Sequence, residues 1–376
     1  MYQRSNPCGA SLIPPPPPPP EDDITKSSKT STGVNSTTSL PSIKLVKNDY
    51  NQHFVDTGER PQNFIRDYEP HLRFTEYPKL ERLIRLKDEI NKQRAHPPLY
   101  MQVELKKFNL TSLDCLFDVV LIDPPWQEYA ERAASYALVT NEDLTPWSVE
   151  EMIQHLKIDE ITDVPSFCFI WCGSSHLAEG RKLLQTWGFR RCEDICWCKT
   201  NTAFSRVQYN RVQYTDDQGI FQRTKEHCLM GVKGVVRRSE DTCFIHSNID
   251  TDIIVAEEPT DIHGHPTGST EKPIELYEVI DRFCLGRRKL ELFGSDRNIR
   301  PGWVTLGKDI SVSNYDKDRY ISWVSDTTDT LKLNRPNPRY ISSDVDYNGG
   351  RFVGTTPEIE ALRPKSPTRP NGTMTK

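Results

Sequence analysis

The chain has 376 residues, of which 36% are hydrophobic and 27% charged, and its formal net charge is −5. This balance is ordinary for a soluble protein and excludes a uniformly basic polyanion binder, so a nucleic-acid surface would be a local patch. No apolar run approaches the roughly 18 residues of a membrane span, and the N-terminus lacks a signal-peptide pattern. The ten cysteines contain no Cys-x-x-Cys pair, which argues against a zinc site and favours reduced thiols.

The first 45 residues are rich in Ser, Thr and Pro and include seven consecutive prolines, Pro14–Pro20. This composition predicts a disordered tail with a polyproline II segment, which suits either a solvated spacer or a ligand for a proline-binding module. From 46 to 98 we expect a helical extension. Its clearest part is Pro78–Asn91, where Pro suits a first helical turn and the apolar residues share one face.

From residue 99 to 325, strand-like runs alternate with helical ones, which predicts an α/β domain with a mostly parallel sheet and helices on both faces. The expected strands are Phe117–Ile122, Ser166–Cys172, Asp194–Lys199, His227–Val232, Asp252–Ala256, Leu290–Phe293 and Trp303–Leu306. The expected helices are Trp147–Leu156, His176–Trp187 and Pro273–Phe283. The polar stretch Thr200–Gly219 is predicted to be a long loop, and residues 326–376 a mostly disordered tail.

Four residues that could take part in catalysis, Asp123-Pro124-Pro125-Trp126, directly follow the apolar strand Phe117–Ile122. In open α/β sheets, ligands bind at the carboxyl ends of strands. The group suits methyl transfer to the exocyclic amine of adenine, whose lone pair is delocalised into the ring. A carboxylate and a proline carbonyl would accept the amine hydrogens, and the Trp would offer a flat face to the base. An acidic turn capped by a core Trp is the alternative, because short motifs also arise by chance.

Two further segments are candidates for cofactor binding. In Phe293–Asn298, Gly294 follows a strand and permits close approach of a ligand, while Asn298 could bond a ribose or an amino-acid group. Lys272 precedes the Pro273–Phe283 helix, where a cation opposes the macrodipole, so it could instead hold the carboxylate of a methionine-derived cofactor. The alternatives are a plain loop and a solvated surface lysine.

Two pairs of basic residues, Arg190-Arg191 and Arg237-Arg238, lie at the ends of expected elements and close to aromatic residues. If they converge in space they form a phosphate-binding groove; otherwise they are ordinary solvated charge. The nine histidines show no spacing that suggests a set of metal ligands.

From Asn48 to about Tyr320 the chain closely resembles the methyltransferase-like protein 14 family, the RNA-binding subunits of heterodimeric mRNA N6-adenosine methyltransferases. The stretches that carry the resemblance are Asn48–Asp67, Tyr77–Glu89, Trp187–Lys199, Phe221–Gly231, Phe283–Arg288, Ile299–Trp303 and, in the tail, Leu362–Pro367. Together they cover most of the chain between its tails and are far more specific than any four-residue motif.

The resemblance implies a Rossmann-like S-adenosylmethionine-dependent methyltransferase fold of permuted order, in which the substrate motif Asp123–Trp126 precedes the cofactor motif Phe293–Asn298. It implies a nuclear protein that binds RNA and pairs with a catalytic sister subunit of the methyltransferase-like protein 3 type. No association with a membrane is expected. The residues carried over from the family's RNA groove are Arg190, Arg191, Arg237 and Arg238.

The chain departs from the animal members of this family, which have lost the catalytic tetrapeptide, because it keeps all of Asp123–Trp126. Residues expected to bind S-adenosylmethionine by analogy with the catalytic sister are Glu104, Asp123, Lys272 and Asn298, with Glu104 standing in place of an adenine-reading Asp. Other cofactor positions of the sister are not retained. Ser295 replaces an Arg, Arg297 a His, and Lys308-Asp309 an Asn-Gln pair.

Two functions therefore remain open from the sequence. In the first, the chain positions RNA for a catalytic sister subunit, which the overall similarity favours. In the second, it is itself an S-adenosylmethionine-dependent adenine N6-methyltransferase acting on RNA, or as a weaker alternative on DNA. The intact Asp123–Trp126 favours the second function.

Overall fold

The structure is a computed structural model that describes residues 57, 77–135, 145–200, 224–234, 249–259, 269–284, 286–324 and 356–363. All of these belong to one compact unit, Leu45–Lys376. The expected N-terminal tail and all of the expected loop after Thr200 lie outside the described residues. The proposed division of the chain into tails, helical extension and methyltransferase-like domain stays a prediction.

The domain is built on one eight-stranded sheet with the strand order β1-β8-β7-β2-β3-β5-β4-β6. Its strands are β1 (Leu99–Gln102), β2 (Phe117–Ile122), β3 (Thr162–Cys172), β4 (Arg190–Thr200), β5 (Lys225–Lys233), β6 (Ile253–Glu257), β7 (Lys289–Leu292) and β8 (Val304–Gly307). All seven expected strands are present, and the short β1 is an addition. Among the described strands β5 alone runs antiparallel to its neighbours, so the prediction of a mostly parallel sheet is confirmed.

Eight α-helices lie among the described residues: α1 (Pro78–Arg94), α2 (Gln127–Ser135), α3 (Val149–Leu156), α4 (Ile158–Ile161), α5 (Leu177–Thr186), α6 (Glu275–Phe283), α7 (Lys317–Val324) and α8 (Pro357–Leu362). The four expected helices are confirmed as α1, α3, α5 and α6. In the stretch expected to be mostly disordered, α8 forms because Thr356 caps its first turn and Ile359 packs on α1. No described helix is long and apolar enough to cross a membrane.

The central strand β2 is buried at all six positions, because helices cover both faces of the sheet. Successive side chains of a strand point to opposite faces. Val120 and Ile122 therefore join the layer that contains α3 and α5, while Val119 and Leu121 pack with α6 on the other face. A third cluster joins α1 to α8.

Two expected helices begin two residues later than their apolar pattern suggests, and both differences matter for the site. At α3, the Ser148 hydroxyl accepts from the Glu151 N–H at 3.1 Å and the Glu151 carboxylate accepts from the Ser148 N–H at 2.8 Å. This capping box starts the helix at Val149 and leaves Trp147 outside it. At α6 the helix begins at Glu275, so Lys272 lies in the segment that leads into it.

The topology brings the two sequence-distant motifs together. Strands β2 and β7 are direct neighbours, with Ile122 opposite Leu292. Asp123 follows the first strand and Phe293 the second, so both motifs emerge side by side at the same edge of the sheet. The substrate motif precedes the cofactor motif in the chain, as the permuted fold requires.

Candidate active site

The carboxyl ends of β2 and β7 open into a cleft of about 300 Å³. Asp123–Pro125 line one wall and Phe293–Ser295 with Asn298 the other. The turn after β7 is tight: Phe293 has a left-handed φ of 66°, and a Cβ on Gly294 would stand 2.3 Å from Thr305 Cγ2. Glycine is therefore required beside β8, and strained turns of this kind cluster at functional sites.

Lys272 lies beneath this cleft, with its side chain 2% exposed, and does not line it. Its ammonium donates to the Thr270 carbonyl at 2.8 Å and lies 3.1 Å from Glu226 Oε2 and 3.2 Å from Asp123 Oδ1. The first of these contacts is a hydrogen bond, and the other two are ion pairs. In this arrangement Lys272 bridges two carboxylates of the protein, and its buried charge is engaged within the chain and not in the cleft.

A buried network of alternating charges continues from Lys272 into the sheet. Glu226 on β5 accepts from the Tyr129 hydroxyl at 3.1 Å and pairs with Lys199 Nζ at 2.7 Å. Lys199 pairs in turn with Glu258 at 2.7 Å. Sequence reasoning missed Glu226, Lys199 and Tyr129. A signal was present, because a charged residue within an apolar strand is rarely buried without a partner.

Trp126 belongs to the core and not to the cleft. It is 1% exposed, its indole N–H donates to the Trp171 carbonyl at 2.6 Å, and its ring stacks on His176 at a centroid distance of 4.8 Å. It offers no face to a base in this structure. Trp147, which the capping box leaves outside α3, lines the cleft instead and meets the Phe293 ring edge-on at 5.0 Å.

The carbonyls of the two motif prolines already accept hydrogen bonds from the protein. The Pro124 carbonyl accepts the Trp126 N–H at 2.8 Å, and the Pro125 carbonyl accepts the Trp147 N–H at 3.1 Å. These bonds fix the shape of the motif and connect it to the start of α3. Each carbonyl keeps a second lone pair, so the bonds do not by themselves prevent contact with an amine.

Asn298 lines the cleft, but its amide is committed to the protein. Its Oδ1 accepts from the Ser295 N–H and hydroxyl, both at 2.9 Å, and its Nδ2 lies 3.1 Å from the Tyr277 hydroxyl and 2.8 Å from Glu291 Oε1. Two donors and two lone pairs are the full capacity of an amide. Asn298 thus holds the turn after β7 in place.

Glu291 is the buried anchor of this turn, 1% exposed on β7. Its Oε1 also accepts the Tyr277 hydroxyl at 2.6 Å. Burial raises the pKa of Glu291 from its ordinary 4.5 to about 7, against the lowering effect of the Tyr277 bond. Burial, and next the charge of Glu291, raise the pKa of Tyr277 as well.

The rim of the cleft carries the remaining candidate residues. Glu104 is exposed there. The four residues that depart from the pattern of the catalytic sister also line the cleft: Arg297 and Asp309 are exposed, and Ser295 and Lys308 are half-buried. Arg297 donates to the Ser269 hydroxyl at 3.2 Å and lies 3.8 Å from Glu271. The structure thus brings Glu104, Asp123, Pro124, Pro125 and Asn298 to one cleft, and places Trp126 and Lys272 behind its wall.

Two of the four expected RNA-binding arginines lie away from this cleft. Arg190 and Arg191 are exposed and begin β4. Because β4 runs parallel to β2 and β3, its first residues lie at the opposite edge of the sheet from Asp123. Arg237 and Arg238 lie outside the described residues.

Two histidines in the described chain face carboxylates, His227 at 3.0 Å from Asp194 and His176 at 3.3 Å from Glu128. Among the described residues, no group of three or more His, Cys, Asp or Glu side chains could hold a metal ion.

The MT-A70 family model matches residues 117–309, which include the whole cleft motif Asp123–Trp126 and the turn after β7. The N(6)-adenosine-methyltransferase non-catalytic subunit METTL14 of Danio rerio is 48% identical over 321 residues, which are 85% of this chain and 62% of that protein. The protein of the same name from Drosophila melanogaster is 46% identical, again over 85% of this chain and over 72% of its own length.

A catalytic relative is more distant. The N(6)-adenosine-methyltransferase catalytic subunit METTL3 of Homo sapiens is 31% identical over 217 residues, 58% of this chain and 32% of that protein. The chain spans less than two thirds of the Danio rerio relative, so its similarity is to part of that protein.

Proposed function

The chain belongs to the MT-A70 family of adenine N6-methyltransferases, and we propose that it is the non-catalytic, RNA-positioning subunit of a nuclear, heterodimeric mRNA N6-adenosine methyltransferase. Family membership implies S-adenosylmethionine as the methyl donor of the family in general. The observation that carries the proposal concerns two of the four candidate cofactor ligands. Lys272 is buried behind the cleft wall in ion pairs with Asp123 and Glu226, and the amide of Asn298 is bonded to capacity within the protein.

These internal contacts of Lys272 and Asn298 bear directly on cofactor binding. S-adenosylmethionine carries a carboxylate and ribose hydroxyls, which need a cation and a polar side chain in the cleft. Lys272 donates to Thr270 and pairs with Glu226 and Asp123 behind the cleft wall, and the amide of Asn298 bonds within its own turn. As arranged here these residues do not fit the cofactor, and no step of methyl transfer is assigned to this cleft.

The pattern of similarity supports the same assignment. Identity is 46–48% to METTL14 proteins named as non-catalytic and 31% to a METTL3 protein named as catalytic. A non-catalytic subunit requires a catalytic one, so we propose a sister subunit of the METTL3 type as the partner. Obligate interfaces commonly bury more than about 2,000 Å² and are apolar at their centre. The isolated chain should therefore self-associate or be poorly soluble, which size-exclusion chromatography with and without the partner would test.

The placement of Arg190 and Arg191 supports RNA positioning for another subunit. Both are exposed at the edge of the sheet opposite this chain's own cleft. Arginines bind phosphates and thereby position a strand without reading its sequence. An RNA held there would present its adenine to a site other than the cleft of this chain, as a supporting subunit requires.

The sharpest test of this function is the stoichiometry of cofactor binding. Calorimetric titration of the heterodimer with S-adenosylmethionine should give one site per heterodimer, and Asp123→Asn in this chain should leave that number unchanged. Two sites, reduced to one by Asp123→Asn, would contradict the proposal and establish a live cleft in this chain.

The second candidate function, catalysis by the chain itself on RNA or more weakly on DNA, is favoured by the open cleft of about 300 Å³ behind an intact Asp123–Trp126. For Lys272 to bind the cofactor, its buried side chain would have to move from behind the wall into the cleft. The isolated chain would then methylate an adenine-containing oligonucleotide, and comparing RNA with DNA of one sequence would identify the substrate.

A further inference from the structure

Two cysteines stand next to each other on one face of strand β4. Cys196 and Cys198 are two residues apart, so their side chains point to the same side of the sheet, with Cα atoms about 6.6 Å apart. The alternate residues, Ile195 and Trp197, are buried on the other side. Both cysteines are free and half-buried, so part of each residue is accessible, unlike the fully buried thiols of the core.

The two thiols are in contact, because a side-chain hydrogen bond joins them. Burial, and next the charge of Cys198, raise the pKa of Cys196 to about 11. Oxidants and alkylating agents react with the thiolate, so this protonated thiol is a slow target for them. Ionisation of one thiol also opposes ionisation of the other, and a cation shared between the two sulfurs would remove that opposition.

The polar neighbours of the pair do not add a third ligand. His227 on β5 is opposite Cys196, and Asp194 lies two residues before Cys196 on the same face of β4. These two side chains are bonded to each other, with His227 Nδ1 3.0 Å from Asp194 Oδ1. The absence of any three-ligand metal group among the described residues agrees with this arrangement. The pair is therefore a site with two sulfur ligands.

The opposite side of the pair is apolar. On β6, Ile253 is opposite Cys196 and Val255 is opposite Cys198, and both aliphatic residues are exposed. They offer no oxygen to a cation, which disfavours Mg²⁺ and Ca²⁺, since both prefer oxygen ligands. Zn²⁺ is disfavoured as well, because its structural sites almost always have four protein ligands.

We propose that Cys196 and Cys198 bind one Cu(I) ion between their sulfurs. Thiolates are soft ligands that select Cu(I), and this ion is stable with only two of them. One Cu⁺ and two thiols give a bis-thiolate complex of charge −1 and two released protons, and no electron is transferred. Lys225, opposite Cys198 on β5, supplies a positive charge near the anionic complex. The proposal does not rest on the RNA-positioning function.

The first experiment titrates Cu(I) into the full chain, in the form in which it purifies, without oxygen and in competition with a chromophoric Cu(I) chelator. Cys196→Ala and Cys198→Ala should each weaken the tightest site at least tenfold. Cys192→Ala is the matched control, because Cys192 is half-buried on the same strand but its thiol donates to the Met230 carbonyl at 3.4 Å. Zn(II) in place of Cu(I) should show no binding that either variant removes.

The second experiment uses the parent chain, so it decides the matter if the variants do not fold. The chain with and without one equivalent of Cu(I) is treated with N-ethylmaleimide, and the labelled cysteines are identified by mass spectrometry. Cys192, Cys196 and Cys198 fall within one tryptic peptide, whose fragment spectrum separates them. Cu(I) should protect Cys196 and Cys198 together and leave the labelling of Cys192 unchanged.

The proposal is overturned if both folded variants bind Cu(I) as tightly as Cys192→Ala, or if Cu(I) leaves the labelling of Cys196 and Cys198 unchanged. Failure here would leave the RNA-positioning function intact, since that function is tested through Arg190, Arg191 and the stoichiometry of cofactor binding.

Discussion

The ammonium of Lys272 lies 3.2 Å from Asp123 Oδ1, so the acidic residue of the Asp-Pro-Pro-Trp motif is paired with a lysine of its own chain. The same ammonium lies 3.1 Å from Glu226 on β5. One buried cation is therefore shared by two carboxylates, and Glu226 has a second cation partner in Lys199. This pairing determines both the stability of the region and the chemistry open to the motif.

Replacing Lys272 with Met should destabilise the fold strongly, because Asp123 and the buried Glu226 lose their shared cation. Breaking a buried ion pair from one side costs about 3–5 kcal/mol. Urea unfolding would measure the loss, with Lys92→Met on the exposed side of α1 as the control. The double variant Lys272→Met/Glu226→Gln should recover part of the stability. Equal stability of Lys272→Met and the control would show that the network contributes nothing.

Replacing Asp123 with Asn should leave RNA methylation by the heterodimer nearly unchanged, because the catalytic cleft belongs to the partner in the proposed function. If this chain were the enzyme, loss of the carboxylate that accepts a hydrogen bond from the reacting amine would lower the rate about a hundredfold or more. Single-turnover methylation with equal amounts of parent and variant complex distinguishes the two. Asn keeps the size of the side chain, and circular dichroism would verify that the variant folds.

Replacing Trp126 with Phe should lower stability and leave RNA affinity unchanged. The buried indole fills the space beside His176 and bonds the Trp171 carbonyl, which Phe leaves without its donor. An unmade buried hydrogen bond costs about 1–3 kcal/mol. Denaturant unfolding and RNA binding should be measured on the same preparation. A drop in RNA affinity with unchanged stability would mean that the ring reaches a base after all.

Replacing Glu291 with Gln should flatten the dependence of stability on pH. The folded-state pKa of about 7 is higher than the ordinary 4.5, so the folded protein binds this proton more tightly than the unfolded chain. The stability from this proton is fully present below about pH 4.5 and is lost as pH rises through about 7. The loss is on the order of 3 kcal/mol.

The Gln side chain can still accept from Tyr277 and Asn298 but does not ionise. The free energy of unfolding of the parent relative to Glu291→Gln should therefore fall between pH 4.5 and 7, as measured by urea unfolding across that range. Parallel pH profiles for the two proteins would show that Glu291 does not titrate there.

Replacing Arg190 and Arg191 together with Ala should weaken RNA binding and reduce its salt dependence by about 0.7 log–log units per lost phosphate contact. The same change at Arg237 and Arg238 tests the second expected pair. Arg85→Ala, an exposed arginine of α1, is the control. Binding of S-adenosylmethionine to the complex should not change, since Arg190 and Arg191 lie across the sheet from the cleft. RNA affinity and slope equal to the control would make these residues ordinary surface charge.

Much of the fold was predictable from local pattern. The apolar run Phe117–Ile122 specified a strand buried on both faces, and the alternation of strands with helices specified a mostly parallel sheet. Pro78 correctly marked the first turn of α1. Shorter signals failed, as in β1, whose four residues are too few to display a period, and in α3, whose start depends on the Ser148 cap.

The sequence by itself determined the family resemblance, the strands and the residue types at the cleft, because these follow from motifs and periodicity along one chain. Only the tertiary structure decided which of those residues face the cleft. Lys272 and Asn298 looked available in sequence, but folding brings Glu226 of the distant strand β5 to Lys272, and the tight turn after β7 brings Asn298 back onto Glu291. Whether a polar group is open to a ligand depends on partners brought close by folding, and no local pattern records those partners.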